Sequence, residues 1–226
     1  MEKVVVSLGG SIIIPDDRDG EFLSKFASVL SKVSEEFEVY VVCGGGKIAR
    51  YYIVTGRELQ ATEDELDDLG IQATRINARL VQLALKSRAI QTVPTTVEEA
   101  AALGGKGKVV IMGGTTPGHT TDGVSAALAE KVGASRVVNA TSVDGVYTAD
   151  PRKDKSARKY DRISFQQLRE MLGGKHGAGS SHVFDPMGAE IVMRNKIPIL
   201  VVAGRDLAEM ERAIRGQRIS GTVIDG

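Results

Sequence analysis

The chain comprises 226 residues, 42% hydrophobic but only 4% aromatic, with one Cys and no Trp. That length accommodates one large α/β domain with a full core, or two small ones. Its 29 basic and 29 acidic residues cancel, which argues against a nucleic-acid or anionic-membrane surface, as the scarcity of aromatics argues against base-stacking platforms. A lone cysteine excludes an intrachain disulfide framework and fits a reducing compartment. No basic n-region with a long apolar stretch precedes Val4, and no run of about 18 apolar residues occurs, so neither a signal peptide nor a membrane span is expected. The expected location is the cytoplasm.

Short runs rich in Val and Ile recur between longer helical patterns. Val4–Leu8 comes first and ends in Gly9-Gly10-Ser11. Phe22, Phe26, Val29, Leu30 and Val33 then give an apolar helical stripe. Val39–Cys43 is the second strand, and Gly44-Gly45-Gly46-Lys47 follows it, opening a helical segment that carries Arg50. Thr62 with Glu65 has capping-box spacing, at the start of a helix whose Leu69, Ile76, Leu80 and Leu83 form a second apolar stripe. A weaker strand is expected near Ala89–Val93, and Thr96 with Glu99 marks the next helix start. Val109–Met112 ends in Gly113-Gly114-Thr115 and leads to an Ala-rich helix beginning near Gly123, capped by Thr121 or Asp122. Val137–Ala140 and Ile197–Val202 are further strands; Ser164 with Gln167 and Asp206 with Glu209 mark two more helix starts. Continuous apolarity means burial on both strand faces, so the alternation reads as a three-layer α/β/α sandwich around a central, mostly parallel sheet. No low-complexity linker divides the chain, and residues 1–226 are expected to form a single domain. The charged stretch Asp150–Arg162 reads either as a lobe boundary or as a surface excursion. Gly173–Ser181, which contains Lys175 and His176, reads equally as a mobile lid and as a solvated connection.

Three of these strands end in Gly-Gly. If they are parallel, all three turns lie on one edge of the sheet, where ligands of open α/β sheets bind. Turn chemistry alone explains that coincidence poorly. A strand running into glycines and then a helix presents unobstructed backbone N–H groups and a positive helix end to an anion, most often a phosphate. Gly44–Lys47 is not a Walker A loop, because Ile48 follows the lysine and the upstream spacing fails. It matches G-x-G-x-x-A as Gly44, Gly46 and Ala49. However, the acidic Asp64 and Asp67 about 20 positions on fall inside a capped helix, not at a strand end, which argues against a dinucleotide site. What remains is a phosphate loop of another kind, with Lys47 and Arg50 as cationic clamps. The run Gly113–Asp122 offers four Thr hydroxyls and His119 to a ligand, although Thr and Gly are also ordinary loop material and a lone His is more often structural. Asp144-Gly145 and Asp150-Pro151 are turn signals around Tyr147, an aromatic placed to stack on a base. Cys43 reads as a small buried hydrophobe, and with no zinc-ligand cluster in the sequence no resident metal is expected.

Taken in order, GGS after the first strand, GGGKIARYYI, GIQATRINARL, GGTTPGHTTD, ATSVDGVYTADP and SSHVFDPMGAEI resemble the amino acid kinase superfamily, and within it the archaeal-type uridylate (UMP) kinases. The likeness spans essentially the whole chain, and the PGHTTD and VDGVYTADP pair is its most specific part. The resemblance implies an α/β/α sandwich whose N-terminal part binds UMP and whose C-terminal part binds ATP. It implies transfer of the ATP γ-phosphoryl group to UMP, giving UDP and ADP in pyrimidine nucleotide synthesis, with Mg2+ carried on the ATP phosphates and a homohexameric assembly. By the same resemblance Gly9, Gly10 and Ser11 approach the ATP phosphates. Gly45 lies against UMP, while Gly46 and Arg50 face the transferred phosphate. Asp67 accepts from a sugar hydroxyl of UMP, and Thr115, Thr116, Pro117, Gly118, His119, Thr120 and Thr121 wrap that nucleotide. Thr141, Tyr147 and Asp150 hold the adenosine of ATP.

One position departs from the pattern. Many relatives carry a Lys two residues before the first Gly-Gly, where this chain has Ser7. Either Lys47 or another cation such as Lys175 replaces that lysine, or the rate suffers; Lys47 is favoured, so Lys47 and Arg50 are the expected catalytic pair. The related isopentenyl phosphate kinases use a His shortly after the second glycine loop, where Ile48-Ala49-Arg50 stand here. Because the Ser7 departure touches catalysis, a nucleotide- or oxyanion-binding storage or sensor protein of the same fold is the alternative.

Overall fold

The computed structural model describes residues 1–15, 20–105, 107–151, 153–173 and 184–226. In chain order its strands are β1 (Glu2–Leu8), β2 (Phe37–Cys43), β3 (Val110–Met112), β4 (Arg136–Thr141), β5 (Val146–Tyr147), β6 (Lys159–Tyr160), β7 (Arg162–Ser164), β8 (Ile199–Ala203) and β9 (Thr222–Asp225). The α-helices are α1 (Gly10–Ile13), α2 (Gly20–Val33), α3 (Gly46–Glu58), α4 (Glu63–Leu85), α5 (Val97–Leu103), α6 (Thr121–Val132), α7 (Phe165–Gly173), α8 (Pro186–Asn195) and α9 (Leu207–Ile214). Seven strands form one sheet in the order β3-β2-β1-β4-β8-β9-β7. The first five run parallel; β9 is antiparallel to β8, and β7 is parallel to β9. β5 and β6 pair apart from the sheet, antiparallel, so the stretch around Asp150–Arg162 is an excursion that returns to the sheet edge.

Successive side chains of a strand point to opposite faces, and Val4, Val5 and Val6 accordingly feed two cores. Val4, Val6 and Leu8 pack with Phe26 and Leu30 of α2, Val81 of α4 and Met210 of α9. Val5 packs in the other layer, with Leu128 of α6, Leu168 of α7 and Val192 of α8. Each such fully buried side chain contributes about 1.5–3 kcal/mol relative to exposure. Apolar demand on both faces produces the uninterrupted strands and the three-layer α/β/α sandwich. Ser7 follows the parity of Val5 and therefore looks toward α6.

Helix ends follow local chemistry. Thr62 and Glu65 form a complete capping box at α4, and Ser164 and Gln167 exchange both bonds at α7, at 2.8 and 3.1 Å. Thr96 and Asp206 cap α5 and α9, but the partner glutamates turn elsewhere, Glu99 to the Thr95 N–H and Glu209 to Ser220. Three expectations change. The Ala89–Val93 strand reduces to a single bridge between Ala89 and Val109, because the Gln82 side chain takes the Ile90 and Thr92 carbonyls that a strand would need. The cap of α6 is Thr120, one residue before Thr121 and two before Asp122. The stripe of Leu69, Ile76 and Leu83 faces outward, 36–61% exposed; the buried face of α4 is instead built from Leu66, Ala73, Thr74, Asn77, Ala78 and Val81. Among the described residues no helix is long and apolar enough to cross a membrane.

Candidate active site

Since β3, β2, β1 and β4 are parallel neighbours, the turns that follow them share one sheet edge. The turns are bonded to adjacent strands: Gly44 N–H donates to Leu8 O at 2.9 Å and Gly9 N–H to Ala140 O at 3.0 Å. Between them lies a cleft of about 350 Å³. The glycines there are steric requirements. A Cβ on Gly10 would stand 2.2 Å from the Gly46 nitrogen and 2.5 Å from the Gly45 carbonyl carbon. Gly46 has φ +61°, and Gly45 before it is right-handed helical, with φ −84° and ψ −32°. A right-handed residue followed by a left-handed one turns successive N–H groups into one concavity, a nest for an anion. The Gly10, Ser11, Gly45 and Gly46 amides have no acceptor among the described residues.

The cleft brings together Gly9, Gly10, Ser11, Gly45, Gly46, Arg50, Thr120, Thr121 and Thr141. Lys47 is exposed on the first turn of α3 and does not line it, whereas Arg50, one turn on, does. Tyr147 and Asp150 lie beyond the lining; the Tyr147 hydroxyl donates to Asp144 at 2.7 Å, which Lys159 also holds at 2.9 Å. Half-buried Thr115 and the exposed residues Thr116 to His119 form a loop latched to α4. Asp67 Oδ2 accepts the Gly118 N–H at 2.7 Å, Arg75 donates to Gly114 O and Thr115 O, each at 3.2 Å, and Thr74 Oγ1 accepts the Gly114 N–H at 2.6 Å. Lys175 and His176 lie outside the described residues.

The sequence reading missed the chemistry of Asp122, noting it only as a cap candidate. With Thr120 as the cap, Asp122 lines the cleft, where Ser7 Oγ donates to its Oδ1 at 3.0 Å. Burial is the largest influence and pushes the Asp122 carboxyl up to about 6. The Ser7 bond opposes that rise, the charge of Asp185 adds to it, and a bond from the Asp185 backbone opposes it. Asp185 in turn caps α8 through the Gly188 N–H at 3.0 Å and accepts the Thr120 hydroxyl at 2.5 Å. Also missed were Thr74, Arg75 and Asn77 of α4. The available signal was polar residues recurring on a helix face that should be apolar. Among the described residues no three or more His, Cys, Asp or Glu side chains gather as metal ligands.

The model of the amino acid kinase family matches residues 2–203 of the chain. A uridylate kinase from Pyrococcus abyssi is 44% identical over 224 residues, covering 99% of both sequences. The crystal structure of uridylate kinase from Archaeoglobus fulgidus superposes with a TM-score of 0.87 at 44% identity, over 99% of this chain and 100% of that one. A UMP kinase from Bacillus anthracis, 22% identical, shares the fold at a TM-score of 0.80, over 99% of this chain and 96% of that one.

Proposed function

Because the chain belongs to the amino acid kinase family, we propose that it transfers the γ-phosphoryl group of ATP to UMP, giving UDP and ADP in pyrimidine nucleotide synthesis. The observation that carries this reading is the meeting of two glycine turns at one cleft, their amides open and their spacing too tight for any side chain. Gly9, Gly10 and Ser11 hold the ATP phosphates. Gly45 lies against UMP, and Gly46 and Arg50 face the phosphoryl group that moves. Asp67 keeps Oδ1 for a sugar hydroxyl while Oδ2 holds the Gly118 N–H; the loop from Thr115 to Thr121 wraps UMP, and Thr141, Tyr147 and Asp150 hold the adenosine. The chain works as one domain, with UMP in its N-terminal part and ATP in its C-terminal part, in the cytoplasm.

The acceptor is itself an anionic phosphate, so the reaction needs no strong base. Positioning and charge neutralisation lower the barrier to in-line transfer. Lys47 and Arg50 supply the mobile positive charge, Lys47 reaching in from the rim. The donor set fits Mg2+ that arrives on the ATP phosphates: Asp122 is the carboxylate lining the cleft, and no cage of protein ligands surrounds it among the described residues. Mg2+ bound in this way neutralises phosphate charge. The chain also assembles with copies of itself, as a homohexamer. Tyr51 and Val54 of α3 and Ile76 and Leu83 of α4, each more than half exposed, give these two packed helices an apolar outer surface of the kind that self-association covers. Coupled ADP release with ATP, Mg2+ and a panel of UMP, CMP and acetylglutamate tests the activity. Turnover with UMP is expected, and its absence refutes the reading.

A further inference from the structure

Helix α4 reaches the Gly44–Gly46 turn through one side chain. Asn77 is fully buried, and its Nδ2 donates to Gly44 O at 2.7 Å and to Gly45 O at 3.3 Å. In a trans peptide the C=O and N–H bonds point in opposite directions, and no cis bond occurs among the described residues. Drawing those two carbonyls toward α4 therefore turns the N–H groups of the same two peptide planes, those of Gly45 and Gly46, away from it. On that far side stands the first glycine turn, for the Gly46 nitrogen is 2.2 Å from where a Gly10 Cβ would be. The two amides so aimed belong to the anion nest.

Two glycines in sequence have little intrinsic preference for that geometry, because glycine populates both signs of φ about equally. The fold also bears a cost in placing the amide there, since Asn77 Oδ1 is buried with no hydrogen-bond partner among the described residues. Unpaired buried polar atoms weaken a folded state and are retained where they serve another purpose. We propose that Asn77 is a positioning residue for phosphoryl transfer, pinning the Gly44 and Gly45 carbonyls so that the Gly45 and Gly46 amides stay aimed at the migrating group. Asn77 touches no substrate and acts through the loop. The proposal rests on the UMP kinase reading for the identity of the reaction, and on the bonds of Asn77 for its mechanism. The Gly45 carbonyl also accepts the Ala49 N–H at 3.3 Å, so the Gly44 plane, bonded at 2.7 Å, depends on Asn77 the most.

Asn77→Asp and Asn77→Ala remove the two donors, the first with little change of shape. In each, kcat for ADP release with UMP should fall about 100-fold, the loss expected of misplaced transition-state donors. The KM values for ATP and UMP should stay within about threefold of wild type, because ground-state binding draws on other contacts. Binding of the ADP–aluminium fluoride–UMP complex should weaken with kcat, while binding of ADP alone should not. A cooperatively melting variant that keeps kcat within threefold overturns the proposal, as does a uniform rise in KM with kcat unchanged. Should both variants fail to fold, or should the wild-type chain not phosphorylate UMP, hydrogen-exchange NMR of the wild-type protein decides. The Asn77 side-chain amide should be protected, and the Gly45 and Gly46 amides should exchange rapidly and shift on addition of pyrophosphate. Free exchange at Asn77, or unmoved glycine amides at saturating pyrophosphate, overturns the proposal independently of the reaction's identity.

Discussion

Asp122→Asn isolates the cost of the carboxyl group at the wall of the cleft. As pH falls, an Asp raised from 3.8 to about 6 takes its proton in the folded chain before it would in the unfolded one. Between those values the folded state binds more protons, so stability falls as pH rises through the window. Its contribution is fully present below the unfolded pKa and gone above the folded one. Two units at 1.36 kcal/mol each set the cost of the ionised group at up to about 3 kcal/mol. Asparagine carries no such cost and keeps an oxygen to accept the Ser7 hydroxyl. The variant should therefore melt higher than wild type at pH 8, by up to about 6–12 °C at the 2–4 °C per kcal/mol typical of a chain this long. The gap should close toward pH 4, where the wild-type carboxyl is protonated. Scanning calorimetry of both ligand-free proteins at half-unit pH steps reads this directly, and the difference between them cancels the titrating groups that do not interact with Asp122. A gap independent of pH, or a variant that melts lower at pH 8, would show that the carboxylate is not penalised by its burial.

Three further substitutions probe the rest of the site and the surface. Gly10→Ala sets a methyl group 2.2 Å from the Gly46 nitrogen, so the two turns must part; UMP-dependent ADP release should drop about 100-fold for a displacement near 1 Å, and turnover within threefold would mean that the turns yield freely. Lys47→Ala should lower kcat by about 100- to 1,000-fold, the range for a lost transition-state contact, whereas near-normal turnover would remove Lys47 from catalysis. Ile76→Glu puts a charge on the exposed apolar stripe of α4, and sedimentation should then report a smaller assembly with the circular dichroism of the wild type; an unchanged assembly would place the subunit contact elsewhere.

Strands buried on both faces were legible because their demand is local: Val4–Leu8 and Val39–Cys43 admit no other environment. β7 and β9 were not, since Arg162–Ser164 and Thr222–Asp225 are short, part charged, and made strands only by their partners. The outward stripe on α4 misled for a related reason. Periodicity locates a face but does not say whether the core or solvent lies against it, and here the buried face mixes Leu66, Val81 and Leu85 with Ala, Thr and Asn. The glycine turns could be read one at a time, and a parallel sheet was enough to bring them to one edge. Asp122 could not, because placing the helix cap at Thr120, two residues earlier, converts a capping carboxylate into one that lines the cleft. Thr74, Arg75 and Asn77 act on turns 32 to 40 residues away, and nothing within the α4 sequence specifies those partners.

Ser7 at the end of β1 and the polar residues of α4 belong to one arrangement. A lysine side chain at the end of β1 would bring its charge on a flexible stem; Ser7 instead commits its hydroxyl to Asp122. Among the described residues, Arg50 is then the cationic side chain lining the cleft, and in the proposed reaction more of the task of holding phosphate falls to fixed backbone dipoles. Such dipoles need no reorganisation during transfer, which is their advantage over mobile charges, but glycine peptides hold their direction only if something outside the turn fixes it. Asn77 fixes the Gly44 and Gly45 planes, and Arg75 fixes those that begin at Gly114 and Thr115. With a serine and not a lysine at position 7, the proposed site thus depends more heavily on α4, whose buried face carries Thr74 and Asn77.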